Sequence, residues 1–192
     1  MKELKNLAEE VGGLLLAKNL TLGLAESCTG GLLATAITET PGSSGYFNGS
    51  IVAYRNKVKK KVLKVTTPCL RKFGAVSEET AAAMARGARK ATTAQIGLSI
   101  TGIAGPGGGT KDKPIGLIYI GLDARKLPLT LTSPLRGEGK KLKMVRQFHL
   151  SGNRHEIRQS ACIEALELLK EFLPQVKTPH RNHNRIIKRK SG

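Results

Sequence analysis

The chain is 192 residues long, 40% hydrophobic and 24% charged, with a formal charge of +18 and a mean hydropathy of −0.19. That length accommodates one domain with a sizeable core, and no apolar run reaches the roughly 20 residues of a membrane span. Three widely spaced cysteines, Cys28, Cys69 and Cys162, point to a reducing, cytoplasmic setting rather than to a disulfide framework or a zinc site, and the acidic, helix-periodic N-terminus does not read as a signal peptide.

Leu4, Leu7, Val11, Leu14 and Leu15 recur at steps of three and four and predict an amphipathic helix ending at Asn19. Leu20 to Leu24 reads as a short strand. Residues 25–38, A-E-S-C-T-G-G-L-L-A-T-A-I-T, read as strand, polar turn and helix. Ser27, Thr29, Gly30 and Gly31 stand at the start of that helix, where unpaired N–H groups and the positive dipole end suit an anion; the simpler alternative is N-capping by Ser27 or Thr29. Pro41 to Gly45 stops the helix. A strand from Ser50 to Tyr54 follows, then a basic helix from about Lys57 to Val65, which Pro68 breaks. Ser77, with Glu78 and Glu79 behind it, is a plausible N-cap for an Ala-rich helix over Thr80 to Ala91.

A β-prone run, Gln95 to Ile100, feeds the most distinctive stretch, S-I-T-G-I-A-G-P-G-G-G-T over residues 99–110. Glycines at that density mark backbone that turns sharply or lies close against a ligand, and ligands of open α/β sheets sit beyond strand carboxyl ends. The loop matches neither nucleotide fingerprint. Ile115 to Leu122 reads as the next strand. Residues 123–141 carry two prolines and no amphipathic period, and read as an insertion lengthening a hairpin. A strand over Leu142 to Leu150 follows. Asn153 and Glu156 form a capping-box pattern ahead of a last helix whose buried stripe is Ile157, Ala161, Ala165, Leu168 and Phe172. The succession predicts a layered α/β sandwich over 1–173, and the tight strand-to-strand order after residue 95 makes its sheet mixed and partly antiparallel. Residues 174–192 hold six cations and no acid; the segment reads first as a basic, disordered tail, with nucleic acid as the less favoured partner. A second basic cluster runs from Arg55 to Lys64.

The four histidines show no ligand spacing, and no serine-hydrolase elbow or zinc-protease motif is present, so neither a metal nor a cofactor is expected. Hydroxyls near glycines remain, with lysines. A hydroxyl nucleophile needs a base, and a desolvated lysine can serve at neutral pH.

The strings L-A-E-S-C-T-G-G-L-L-A, P-G-S-S, V-A-Y-R-N-K-V-K, G-A-V-S-E-E, T-G-I-A-G-P-G-G-G-T and K-P-I-G-L, in that order, resemble the C-terminal domain of the CinA family. That family includes stand-alone nicotinamide-nucleotide amidases of the PncC type. The resemblance implies an α/β/α three-layer sandwich, a metal-free deamidation of nicotinamide mononucleotide to nicotinate mononucleotide and ammonia, and a homodimer. It places family positions on Ser27, Ser44, Tyr54, Asn56, Lys59, Thr101 and Arg154. The resulting expectation makes Ser44 the nucleophile and Lys59 the base, with Tyr54 orienting protons. Ser27 and Thr101 then hold the oxyanion or the amide. Thr29 to Gly31, Asn56, Gly105, Gly107, Gly108, Gly109 and Arg154 are expected to bind the substrate, chiefly its phosphate. The choice of Ser44 over Ser27 rests on giving the helix-opening turn to the anion. Asn153 replaces an acidic residue of the family pattern, and Lys57 stands where Glu is common, so that like-charge repulsion is expected to depress the pKa of Lys59. The alternative is a non-catalytic competence- and DNA-damage-associated module binding nucleic acid through its basic surface.

Overall fold

A computed structural model describes residues 2–125 and 141–176 of the protein. The segments 126–140 and 177–192, which hold most of the expected hairpin insertion and of the basic tail, lie outside the described residues.

The elements run α1 (Lys2–Ala17), β1 (Leu22–Glu26), α2 (Leu32–Thr38), a 3-10 turn (Ser43–Gly45), β2 (Phe47–Val52), α3 (Asn56–Lys61), α4 (Thr67–Phe73), α5 (Glu78–Ala91), β3 (Ile96–Gly102), β4 (Leu117–Arg125), β5 (Lys141–His149) and α6 (Arg154–Phe172). The five strands form one mixed sheet in the order β2–β1–β3–β4–β5. β1 pairs parallel with β2 and β3, whereas β3–β4 and β4–β5 are antiparallel. This is the three-layer α/β sandwich with a partly antiparallel sheet that the element order predicts.

The two faces of the sheet are chemically different. Leu22, Leu24, Ile96, Leu98, Ile100, Ile120 and Leu122 point to one face and join the buried side chains of α1, α2 and α6 in the main core. Leu4, Leu7, Val11 and Leu15 of α1, and Ile157, Ala161, Leu168 and Phe172 of α6, supply the facing stripe. Each such leucine contributes about 1.5–3 kcal/mol on burial. Where α5 crosses the other face, the alternating positions Gly23, Ala25, Gly97, Ser99 and Gly121 are small. A Cβ on Gly97 would lie 2.1 Å from the Ala85 carbonyl oxygen, and one on Gly121 would lie 2.7 Å from that of Ala81. The Ala-rich α5 therefore packs backbone to backbone on β3 and β4, with α3 and α4 flanking it through a smaller cluster of Leu63, Val65 and Met84.

Helix starts follow their local chemistry. The Ser77 hydroxyl accepts the Thr80 N–H at 3.2 Å, and Asn153 and Glu156 complete a reciprocal capping box on α6. Three expectations shift. Pro68 opens α4 instead of ending the preceding helix: it occupies the first turn, where its missing N–H costs nothing, and Thr66 caps it. The basic helix stops at Lys61, four residues short of Val65. β1 and β2 lie at 22–26 and 47–52, not 20–24 and 50–54. β1 is central and buried along its whole length, so alternation could not locate its ends.

Candidate active site

Ser27 follows the last residue of β1, at the carboxyl edge of the parallel strands. Its N–H donates to the Ile100 carbonyl of β3 at 3.0 Å, while the Glu26 carbonyl accepts the Ala53 N–H at 2.7 Å. Both neighbouring strands thus hold the serine backbone in place. Lys59 comes from α3 and is the buried residue of that helix. Its side chain is only 1% exposed. Its Nζ lies 2.9 Å from Ser27 Oγ, 2.7 Å from the Ala53 carbonyl oxygen and 3.2 Å from that of Tyr54. Among the described residues no carboxylate pairs with this amine; burial lowers the Lys59 pKa from 10.5 to about 8, a shift the neighbouring Cys28 opposes. The expected repulsion from Lys57 is not the cause; that side chain is exposed on the outer face of α3.

The hydrogen-bond inventory then dictates what this amine does. A neutral amine has two N–H donors and one lone pair. The ammonium donates to the two carbonyls and to Ser27 Oγ; once it loses a proton, the two carbonyls can keep the two remaining donors and the lone pair faces the Ser27 hydroxyl. Ser27 and Lys59 thus have the spacing and composition that a nucleophile–base pair requires. Cys28 also borders the cleft, but burial pushes its thiol up to about 12, so it stays protonated and is a poor nucleophile.

Around this pair lies a cleft of about 270 Å³. The chain after β3 forms one wall, through Thr101 to Gly105, Gly107 and Gly108, and the turn at Ala75–Val76 forms another. Thr101 is 1% exposed and its hydroxyl donates to the Ala75 carbonyl at 2.8 Å, tying the two walls together. Lys113 reinforces the joint, its Nζ donating to the carbonyls of Phe73 and Val76. Tyr54 and Arg154 stand at the rim. The Arg154 guanidinium donates to the Gly105 carbonyl and, at 3.1 Å, to the Tyr54 hydroxyl oxygen. Beyond Arg154 lies a second, larger cavity of about 640 Å³ that shares Ala104, Gly105 and Arg154 with the first and adds Ile115, His155 and Arg158.

The structure therefore brings together Ser27, Tyr54, Lys59, Thr101, Gly105, Gly107, Gly108 and Arg154. Other expected residues do not join them. Ser44 is exposed on the 3-10 turn before β2, at the amino edge of the parallel strands. The length of β2, about 17 Å at 3.3 Å per residue, separates it from Lys59. The hydroxyl that meets Lys59 is therefore that of Ser27, not that of Ser44. Thr29, Gly30 and Gly31 do not cradle a ligand either, because the protein's own Glu26 occupies that position. Its fully buried carboxylate accepts the Thr29 hydroxyl at 2.8 Å and the N–H groups of Gly31, Leu33 and Ala34 at 3.0, 3.2 and 2.9 Å. The helix-end anion site is real, and the anion is internal. The two glycines serve the turn itself, with φ of 63° and 98°. Asn56 and Gly109 are exposed and lie outside the cleft lining. Sequence reasoning missed Glu26 altogether, although an acid one residue before the turn, ahead of a helix without its own side-chain cap, is a usable signal.

Among the described residues no group of three His, Cys, Asp or Glu side chains could hold a metal, and no helix is long and apolar enough to cross a membrane. The model of the CinA C-terminal domain matches residues 4–173. The chain is 45% identical over 168 residues to a CinA-like protein of Dictyoglomus turgidum, covering 88% of this chain and 37% of that one. It is 44% identical over 167 residues to a protein of Clostridium novyi (strain NT) named for competence-damage induction, covering 87% and 37%. The chain thus spans about a third of the length of these relatives. Among solved structures, the competence/damage inducible protein CihA of Agrobacterium tumefaciens superposes with a TM-score of 0.80 at 36% identity, covering 90% of this chain and 96% of that one. A CinA superfamily protein of Klebsiella pneumoniae superposes at 0.78 with 27% identity, covering 89% and 98%.

Proposed function

The chain belongs to the CinA C-terminal domain family, and from that membership we propose that it is a Ser/Lys amidohydrolase that deamidates nicotinamide mononucleotide. The observation that carries the reading is the buried Lys59 amine, 2.9 Å from Ser27 Oγ and titrating at about 8. In the proposed reaction Ser27 Oγ attacks the carboxamide carbon while Lys59 takes the hydroxyl proton. The carboxamide oxygen becomes an oxyanion against the backbone of the glycine-rich wall, where each fixed N–H donor is worth about 3–4 kcal/mol in such sites. Lys59 then hands its proton to the amide nitrogen, the C–N bond breaks and ammonia leaves. Water, deprotonated by the same amine, hydrolyses the acyl-serine and restores both groups.

The small catalytic cleft suits a planar carboxamide ring. The larger cavity across Arg154, with Arg158 and His155 on its wall, suits the ribose phosphate. Release of ammonia and nicotinate mononucleotide from nicotinamide mononucleotide tests the proposal. Turnover by the native chain, lost in Ser27→Ala, is the expected result; no turnover by the native chain, or full turnover by Ser27→Ala, refutes it.

A further inference from the structure

Charge is distributed unequally between the two helical layers. α1 and α6, on the face of the main core, together carry five cations and seven carboxylates. Residues 55–90, which build the opposite layer from α3, α4 and α5, carry eleven cations against Glu78 and Glu79 alone, and both acids lie in the first turn of α5. Two of the eleven are accounted for: Lys59 serves the catalytic cleft and Arg89 pairs with Asp123 of β4. Lys60, Lys61, Lys64, Arg86 and Lys90 are exposed, and among the described residues none forms an ion pair with a carboxylate.

Three of these cations surround one groove. The chain after α3 crosses directly over α5 at Gly87, where a Cβ would lie 2.2 Å from the Leu63 carbonyl oxygen. That close approach brings Lys64 beside Arg86 and Lys90 around a groove of about 480 Å³, floored by Leu63, Gly87 and Ala91. Lys64 is held in the left-handed region, at φ 58°, a conformation that costs a non-glycine residue roughly 1 kcal/mol or more. Like charges gathered without a counter-charge repel, and the fold tolerates both that repulsion and the backbone strain.

We infer that the α3–α5 face binds the sugar-phosphate backbone of a nucleic acid, with Lys64, Arg86 and Lys90 at its centre and Lys60 and Lys61 beside them. The five exposed cations come from α3, the chain after it and the last turns of α5, more charge than a single phosphate requires and suited to a polymeric anion. Among the described residues the only exposed large apolar side chain on this helical layer is Val62, too little for a hydrophobic wedge into a lipid surface. Exposed aromatic rings for base stacking are also missing from it among the described residues. Binding is therefore independent of sequence, steeply dependent on salt, and separate from the amidase chemistry.

The test uses the full chain and a fluorescent 20-base-pair duplex, with affinity measured from 50 to 300 mM salt. The variant Lys64→Glu/Arg86→Glu/Lys90→Glu is compared with Lys2→Glu/Lys5→Glu/Lys143→Glu, which changes the net charge equally on α1 and β5. The tail, with its own cations, is common to both. The groove variant is expected to lose at least tenfold affinity at 100 mM salt and to lower the log–log salt slope by about 2.7, at 0.9 per lost phosphate contact; the control keeps the native slope. Circular dichroism and thermal melting check that both variants are folded. Equal losses in the two variants, no duplex binding by the native chain, or tighter binding to polyglutamate or anionic vesicles than to duplex would each overturn the inference.

Discussion

Replacing Lys59 by methionine removes the only basic side chain that, among the described residues, lies within hydrogen-bond reach of Ser27 Oγ, while retaining most of the buried volume. A positioned general base contributes about 10²- to 10⁴-fold, and kcat/KM for ammonia release should fall by that factor. The pH dependence is the sharper readout. With the amine titrating at about 8, roughly 1% of it is neutral at pH 6, about half at pH 8 and about 90% at pH 9. Native kcat/KM should therefore climb about 90-fold from pH 6 to 9 with a midpoint near 8, and the residual activity of Lys59→Met should lack that rise. A second readout needs no substrate. The folded-state pKa lies below the ordinary 10.5, so between about 8 and 10.5 the native state has released a proton that the unfolded state still holds, and unfolding free energy rises with pH in that window. Urea denaturation of native and Lys59→Met protein at pH 7.5, 9 and 10 isolates this contribution as the difference in slope. A kinetic midpoint above 10, or a methionine variant within tenfold of native activity, would refute the assignment of Lys59 as base.

Ser44→Ala should leave kcat and KM within about twofold of native in the same assay, because Ser44 is exposed at the opposite edge of the sheet from Lys59; a hundredfold loss would restore it as the nucleophile. Glu26→Gln keeps the shape of the buried carboxylate but loses its charge and turns one acceptor into a donor facing N–H groups of α2. A loss of about 2–3 kcal/mol by chemical denaturation is expected. Gly97→Ala forces a methyl group against the Ala85 carbonyl and should cost about 1–3 kcal/mol. Gly13→Ala, in the exposed middle of α1 with nothing within 4 Å, should instead stabilise by about 0.5–1 kcal/mol, and thermal melting of the two variants checks the contrast.

Much of the architecture is local and could be read directly from the chain. The stripes Leu4–Leu7–Val11–Leu15 and Ile157–Ala161–Ala165–Leu168–Phe172 are buried as their spacing requires. Ser77 and the Asn153–Glu156 pair cap the helices they precede. The strand succession after residue 95 gives the antiparallel half of the sheet. These features depend on contacts within a few residues, or on a periodicity that one buried face imposes. The set of chemically able groups was equally legible: hydroxyls beside glycines, one tyrosine, an arginine ahead of the last helix, and Lys59 within a basic run.

Which of those groups meet was a matter of tertiary structure. Ser27 and Ser44 both stand in small polar turns, and no local signal tells them apart. The parallel pairing of β1 with β2 sends them to opposite ends of the sheet, and only Ser27 reaches Lys59. The same folding delivers Glu26 to the amides of α2, so that a turn composed like a phosphate cradle is already filled. It also buries one lysine out of five between residues 57 and 64, and burial is what lowers its pKa. Composition alone established the net charge of +18. The passage of α3, α4 and α5 over one face of the sheet, opposite α1 and α6, put eleven of the cations, against two acids, into a single layer.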